Sequence, residues 1–176
     1  GGPLSAYIAA PIGGGGLSRP IIAAYWFDVD TGNPGFQPTS PGGTSTGSNL
    51  VYYDLDTVNR VFTATWDDVG YYNEHNGNPN AFQIRLHDVG GGDFDIELIY
   101  EHINQSTSDT NDGPGEAPRA GYARGNGTPG VELALSGDYT SVLTLDTAPG
   151  NTGHPGYYYF QVRGGVVTGG SGGPPA

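Results

Sequence analysis

Two carboxylates one residue apart, Asp28 and Asp30, end the run Ile22-Ala-Ala-Tyr-Trp-Phe-Asp-Val-Asp30 and lead into Thr31-Gly-Asn33. Of the acidic pairs in the chain this one looks most like a metal site. The metal it suits is Ca2+, which takes oxygen ligands from carboxylates and carbonyls. An EF-hand loop starting at Asp28 needs a bidentate Glu at its twelfth position, and Thr39 stands there. A calcium ion at Asp28 and Asp30 would have to draw on backbone carbonyls instead. The competing role for both carboxylates is to accept N–H bonds in the turn that follows. Gly90-Gly-Gly-Asp-Phe-Asp-Ile96 is a single imperfect copy of a calcium-binding nonapeptide. One copy cannot stack, so the segment reads as a hairpin loop. Asp67 and Asp68 follow Trp66 at a strand end. Neighbours on a strand point to opposite faces, so these two do not make the facing carboxyls of a glycosidase and read as turn caps.

The other catalytic chemistries lack their residues. His75, His87, His102 and His154 show no short metal-ligand spacing. There is no G-x-S-x-G elbow. The six basic residues are all Arg and there is no Cys. This excludes Schiff-base chemistry, Lys isopeptide cross-links, thiolate sites and disulfides. The expectation is a non-enzyme that requires no cofactor. A net charge of −12 and a pI near 4.3 repel phosphate backbones and make a nucleic-acid partner improbable. No run of about 18 apolar residues is present, so no membrane insertion is expected. The chain contains no Met, and Gly1 reads as the product of processing or excision.

Exposed aromatics are the remaining route to a ligand. Among 12 Tyr, 6 Phe and 2 Trp, Tyr71 and Tyr72 at a loop edge are the candidate ligand contacts. Trp26 and Trp66 suit core packing. Asn104-Gln-Ser106 and Asn126-Gly-Thr128 are N-glycosylation sequons. Thr39, Ser40, Thr44, Ser45 and Thr46 lie in a Ser/Thr-rich segment suited to O-linked sugar.

These residues need elements to hold them. Gly 32 and Pro 14 of 176 residues leave no window for a helix. Strand patterns recur instead, over 5–9, 20–28, 50–55, 58–66, 81–88, 93–100, 119–123, 130–135, 139–145 and 156–163. Residues 32–49, 73–80 and 104–118 read as loops. The spacing predicts an all-β fold, an antiparallel sandwich or rolled sheet with long Gly/Pro-rich loops. Its parts are an N-terminal arm with one strand (1–18), a β domain (19–164) and a Gly/Pro-rich tail (165–176). Within the hairpin 81–100, a five-residue loop from Asp88 to Gly92 would pair His87 with Asp93. Leu86 then meets Phe94, Ile84 meets Ile96, and Arg85 meets Asp95, so apolar faces apolar and opposite charges face each other.

Four segments in order, Ile22–Thr31, Val51-Tyr-Tyr53, Phe62–Tyr72 and Ala81–Leu86, resemble the nidogen-like (NIDO) extracellular domain. Tyr100 and Arg119-Ala-Gly-Tyr122 continue the likeness. The matching phrases are Trp-Phe-Asp-Val-Asp-Thr, Thr-Trp-Asp-Asp-Val-Gly-Tyr and Asn-Ala-Phe-Gln. Ala-Tyr stands before Trp26 where the family has Pro-Phe. The resemblance implies a secreted module of the cell surface or extracellular matrix, as in nidogen, tectorin-like proteins, membrane mucins and large bacterial surface proteins. It brings no catalytic residues. The absence of cysteine fits a bacterial surface or matrix protein.

The leading expectation is a non-catalytic structural or adhesive module, with a cell-surface protein or glycan as partner. A carbohydrate-binding module using exposed aromatics is the alternative. The segment Leu4-Ser-Ala-Tyr-Ile-Ala9, isolated by glycines, adds a third element. Leu4, Tyr7 and Ile8 suit a strand that adds to an open sheet edge. Donated forward from copy to copy, it would build a homopolymeric filament.

Overall fold

Alternation of large apolar and polar residues builds two antiparallel sheets. The computed structural model describes residues 4–5, 7–33, 39, 42–106 and 116–168. In chain order the strands are β1 (Ile21–Trp26), β2 (Val29–Asp30), β3 (Leu50–Asp56), β4 (Val61–Tyr71) and β5 (His75–Gly90). They continue as β6 (Asp93–His102), β7 (Arg119–Ala123), β8 (Val131–Glu132), β9 (Tyr157–Arg163) and β10 (Val166–Thr168). The small sheet has the order β1-β7-β8. The large, curled sheet runs β10-β9-β6-β5-β4, and both β2 and β3 pair with the far side of β4. The all-β antiparallel expectation therefore holds.

One face of the large sheet carries Phe82, Ile84, Ile96, Leu98, Tyr100, Tyr158, Phe160 and Val162, all buried against Ala24, Tyr25, Ala120 and Tyr122 of the small sheet. Tyr100 Oη donates to the Ala24 carbonyl at 2.6 Å, tying the sheets across the core. A second, smaller cluster lies on the outer face of the small sheet. Ile12 and Leu17 are buried there with Ala23 and Ala123, and Leu4 and Trp26 pack against them. Trp26 Nε1 donates to the Ser5 carbonyl at 3.2 Å. Glu132 Oε2 accepts the Ile12 and Gly13 N–H groups at 3.0 and 3.2 Å. The arm thus lies on its own domain. Its expected strand over 5–9 does not form among the described residues.

The central hairpin keeps its expected faces but not its register. Leu86 pairs with Ile96, Ile84 with Leu98, Arg85 with Glu97 and His87 with Asp95. Strand β5 runs on to Gly90, and Gly91-Gly92 turn with φ of 69° and 87°. Two left-handed glycines close a two-residue turn that twists with the strands. That turn alone would move the pairing by three residues and reverse the faces. A bulge between Asp88 and Gly90 takes one residue back, so the net shift is two and the faces are preserved, the side-chain period being two.

Other departures are equally local. Asn73 and Glu74 take φ of 65° and 60°, so the expected loop 73–80 closes early and β5 begins at His75. The run 20–28 ends as a strand at Trp26. Residues 139–145 form a 3-10 turn at Ser141–Thr144 in place of a strand. Val142 and Leu145 are fully buried, so the apolar spacing there is three, not two. Asp138 Oδ1 accepts the Thr140 and Ser141 N–H groups to start the turn. The expected strand 130–135 contracts to Val131–Glu132. Val166–Thr168, placed in the tail, add β10 to β9.

Candidate functional site

The acidic residues converge on backbone N–H groups. Asp30 Oδ1 accepts Gly32 N–H at 2.7 Å and Oδ2 accepts Glu74 N–H at 3.0 Å. Asp28 is buried beside it in sequence. Both Asp30 oxygens thus cap turns, as the competing role has it. Among the described residues no three His, Asp or Glu side chains cluster as a metal site.

Asp67 and Asp68 do face the same partner, against the expectation from alternation. Asp68 takes φ of 51°, and the β4–β5 register shifts between Trp66 and Val69. This bulge turns both carboxylates toward residues 44–49. Asp67 accepts Thr46 N–H at 2.7 Å, Thr46 Oγ1 at 2.5 Å and Ser48 N–H at 3.1 Å. Asp68 accepts Gly47 N–H at 2.8 Å. Glu101, from β6, accepts Thr44 N–H at 2.9 Å, Thr44 Oγ1 at 2.7 Å and Ser45 N–H at 2.8 Å. Asn49 Oδ1 accepts Gly70 N–H at 2.7 Å. Gly70 is required there, because a Cβ would lie 2.3 Å from the His75 carbonyl oxygen. The turn-cap reading of Asp67 and Asp68 holds in kind, although the turn they cap is remote in sequence. Glu101 and Asn49 were missed, since bonds across 21 to 57 residues leave no local signal.

This clasp should respond to acid. Burial opposes the charge of Glu101, but the bonds from Thr44 and Ser45 outweigh it and hold its carboxyl at about 2. Asp67 is likewise lowered, burial being outweighed by Ser48 and Thr46. Asp68 is raised, chiefly by burial. A lowered carboxylate stabilises the fold above its unfolded pKa and loses that contribution as pH falls through the folded value. Asp68 runs the other way, its contribution being present in acid and lost as pH rises through its folded value. Glu101→Gln is expected to cost about 1 kcal/mol near neutral pH, the shift being discounted for partial solvent exposure. Urea melts should show that deficit shrinking between about pH 4.5 and pH 2. A deficit constant across that range would mean that the Glu101 charge is not what holds the loop.

The face of the large sheet away from the core is also internally paired. Glu97 and Asp95 are 1% exposed. Arg85 Nη1 lies 3.0 Å and His87 Nε2 3.1 Å from Glu97. Tyr159 Oη donates to Asp95 at 2.6 Å, and Arg163 Nη1 lies 2.6 Å from it. His75 Nδ1 sits 2.7 Å from the Tyr72 carbonyl, and His102 lies 3.8 Å from Asp146. His154 is exposed in a turn. The histidines are dispersed, and none faces a second one.

Apolar surface is where the molecule is open. Leu50, Val51, Tyr52, Tyr53, Leu55, Val58 and Phe62 are all exposed large side chains of β3, its turn and β4. They surround the free edge of β3. On the core side, Leu55, Phe62 and Leu86 line a cleft of about 720 Å³ at the margin of the small sheet, whose Ile22 forms part of the wall. On the other side, Tyr52, Thr65, Gln83 and Glu101 line a cleft of about 470 Å³ beneath residues 44–46. Tyr71 stacks on His75 with ring centres 5.0 Å apart, and Tyr72 is exposed at the hairpin turn. Neither belongs to these clefts. Trp66 stacks on Phe82, so both Trp pack as expected.

The modification candidates divide. Asn104, Asn126 and Thr39 are exposed. Thr44 and Thr46 have their hydroxyls engaged by Glu101 and Asp67, and Ser45 is half-buried. Ser40 lies outside the described residues. In the arm, Leu4 is half-buried against Trp26's cluster, while Tyr7 and Ile8 are exposed.

Comparison with known proteins gives one match. The family model for the nidogen-like domain matches residues 2–164. No curated protein and no solved structure matches significantly.

Proposed function

The chain belongs to the nidogen-like domain family, whose members are extracellular structural modules, and from that premise we propose that it is a non-catalytic adhesive module that joins its assembly through protein contact at the β3 edge. The observation that carries this reading is the contrast between polar and apolar surface. Asp67, Asp68, Asp95 and Glu97 are matched internally to N–H groups, hydroxyls and guanidinium groups, which leaves them poorly placed for general acid or base work. The apolar side chains around β3 are instead left to solvent, and such patches mark contact surfaces. Strand addition at an open edge supplies main-chain hydrogen bonds for such a contact.

A carbohydrate partner has one observation in its favour, the cleft in which the Tyr52 ring adjoins Thr65 and Gln83. Beads bearing the domain are expected to adhere to a surface coated with the extracellular material of the producing cells. Protease treatment of that surface should abolish adhesion, while glycosidase treatment leaves it intact. The reverse pattern would replace the protein partner with a glycan. Turnover of a glycan or peptide by the purified chain would remove the structural reading.

A further inference from the structure

The partner that the β3 edge fits best is another β3. We infer that two copies of this chain pair β3 against β3 antiparallel about Tyr53, joining their large sheets into one. This rests on the protein-contact reading of that edge and specifies its occupant.

Natural sheets blunt their free edges with short strands, bulges, proline or charge. Among the described residues the other edge strands are blunted in that way. β2 and β8 have two residues each and β10 has three. β1 is bulged between Ala23 and Trp26. Among the described edge strands β3 is the long one, at seven residues, and its pairing with β4 is unbroken from Leu50–Asp67 to Asp56–Val61. It contains no proline and no basic residue, and its two charges, Asp54 and Asp56, lie on the face away from the core. Tyr53 is 80% exposed and Leu55 62%, although both lie on the sheet face that is buried elsewhere.

The sequence of this edge is complementary to itself. Centred on Tyr53, antiparallel pairing sets Tyr53 opposite Tyr53, Val51 opposite Leu55, Tyr52 opposite Asp54 and Leu50 opposite Asp56. All seven residues pair, each apolar residue of the inner face meets an apolar one, and no carboxylate faces another. Moving the centre to Asp54 would set two carboxylates in direct opposition, which destabilises a cross-strand pair. Moving it to Tyr52 leaves Leu55 and Asp56 beyond the end of the partner strand. A one-residue slip reverses the faces. The contact is isologous and closes as a dimer. Net charge of −12 per copy opposes association at long range, so pairing should strengthen as salt screens it.

The absence of native cysteine makes the register directly measurable. Residues facing each other across an antiparallel pair have Cα atoms about 4.5–5.5 Å apart, within the range a disulfide spans. Tyr53→Cys is therefore expected to form a covalent dimer on mild oxidation. Val51→Cys alone should not, because its own copy lies at least about 13 Å along the strand. Val51→Cys mixed with Leu55→Cys should cross-link as a pair. In sedimentation, the unmodified chain should be a dimer that Tyr53→Lys converts to a monomer of unchanged far-UV spectrum. Cross-linking of Tyr53→Cys to a chain carrying Tyr7→Cys, in place of itself, would overturn β3 self-pairing in favour of arm donation. A chain that stays monomeric at every concentration yet adheres to protein-coated surfaces would overturn the dimer alone. A chain that dimerises through Tyr53 but shows no adhesion would leave the dimer and remove the adhesive reading.

Discussion

Phe82→Ala is expected to cost about 3–5 kcal/mol in a urea melt. Phe82 is 3% exposed and sits where three aromatic rings meet. Its ring stacks on Trp66 at 4.9 Å and 15° and touches Tyr25 and Phe27 at 5.9 and 6.4 Å. Truncation removes the transfer energy of the ring and leaves a cavity, because strands hydrogen-bonded on both sides of β5 cannot close on it. Phe62 provides the internal control. It lies on the same face of the neighbouring strand, opposite Leu86, but beyond the cover of the small sheet. Phe62→Ala should cost less than about 1 kcal/mol. Equal losses at the two positions would mean that the small sheet does not divide this face into covered and open halves.

That division was not legible in the sequence. Phe82-x-Ile84-x-Leu86 and Leu50-Val-Tyr-Tyr53 both read as strands, and both are. The first is central and the second is an edge because of what packs beside them, and neither run carries that information. Face assignment was legible wherever alternation was regular, as in β5 and β6, because the period of two is a property of the chain itself. Register was not, since it depends on turn geometry: a two-glycine turn and a bulge between Asp88 and Gly90 stand in place of the five-residue loop. The same limit governs the site. Alternation argues that Asp67 and Asp68 diverge, and a single left-handed residue at Asp68 makes them converge. The partners of Glu101 lie 56 and 57 residues away in the chain, joined only after β4, β5 and β6 have assembled.

The family resemblance was legible because its motifs sit where backbone and packing demands coincide. Gly70 follows Val69, which is fully buried, and a side chain at Gly70 would strike the His75 carbonyl. Tyr25 and Phe27 enter the core from either side of Trp26, which turns outward to the second cluster. Such positions tolerate few alternatives. The exposed side chains of the β3 edge answer to no such demand from the fold.

Arg85→Ala is expected to destabilise the fold by about 3–5 kcal/mol at neutral pH, more than an exposed arginine would suggest. Arg85 is 38% exposed in its side chain, whereas Glu97 opposite it is 1% exposed. The guanidinium bonds Glu97 Oε2 at 3.0 Å, and without it the sheet face holds a desolvated carboxylate whose remaining neighbours are His87 and the Tyr157 side chain, neither a fixed cation. The loss is therefore the cost of an orphaned charge, not the worth of the ion pair. A double substitution separates the two. Arg85→Met with Glu97→Leu removes both charges and keeps apolar volume on the face, and such replacements are often neutral or stabilising. The double variant should recover most of the stability that Arg85→Ala loses, and its melt should lie within about 1 kcal/mol of the parent. Recovery has a structural reason beyond electrostatics. Tyr157 and Tyr159 flank this row on β9, paired with Ile99 and Glu97, and their rings offer apolar contact to Met and Leu. If the double variant is no more stable than Arg85→Ala, the pair is needed for its geometry, and the second face of the sheet is held by its charges as firmly as the first is by its core.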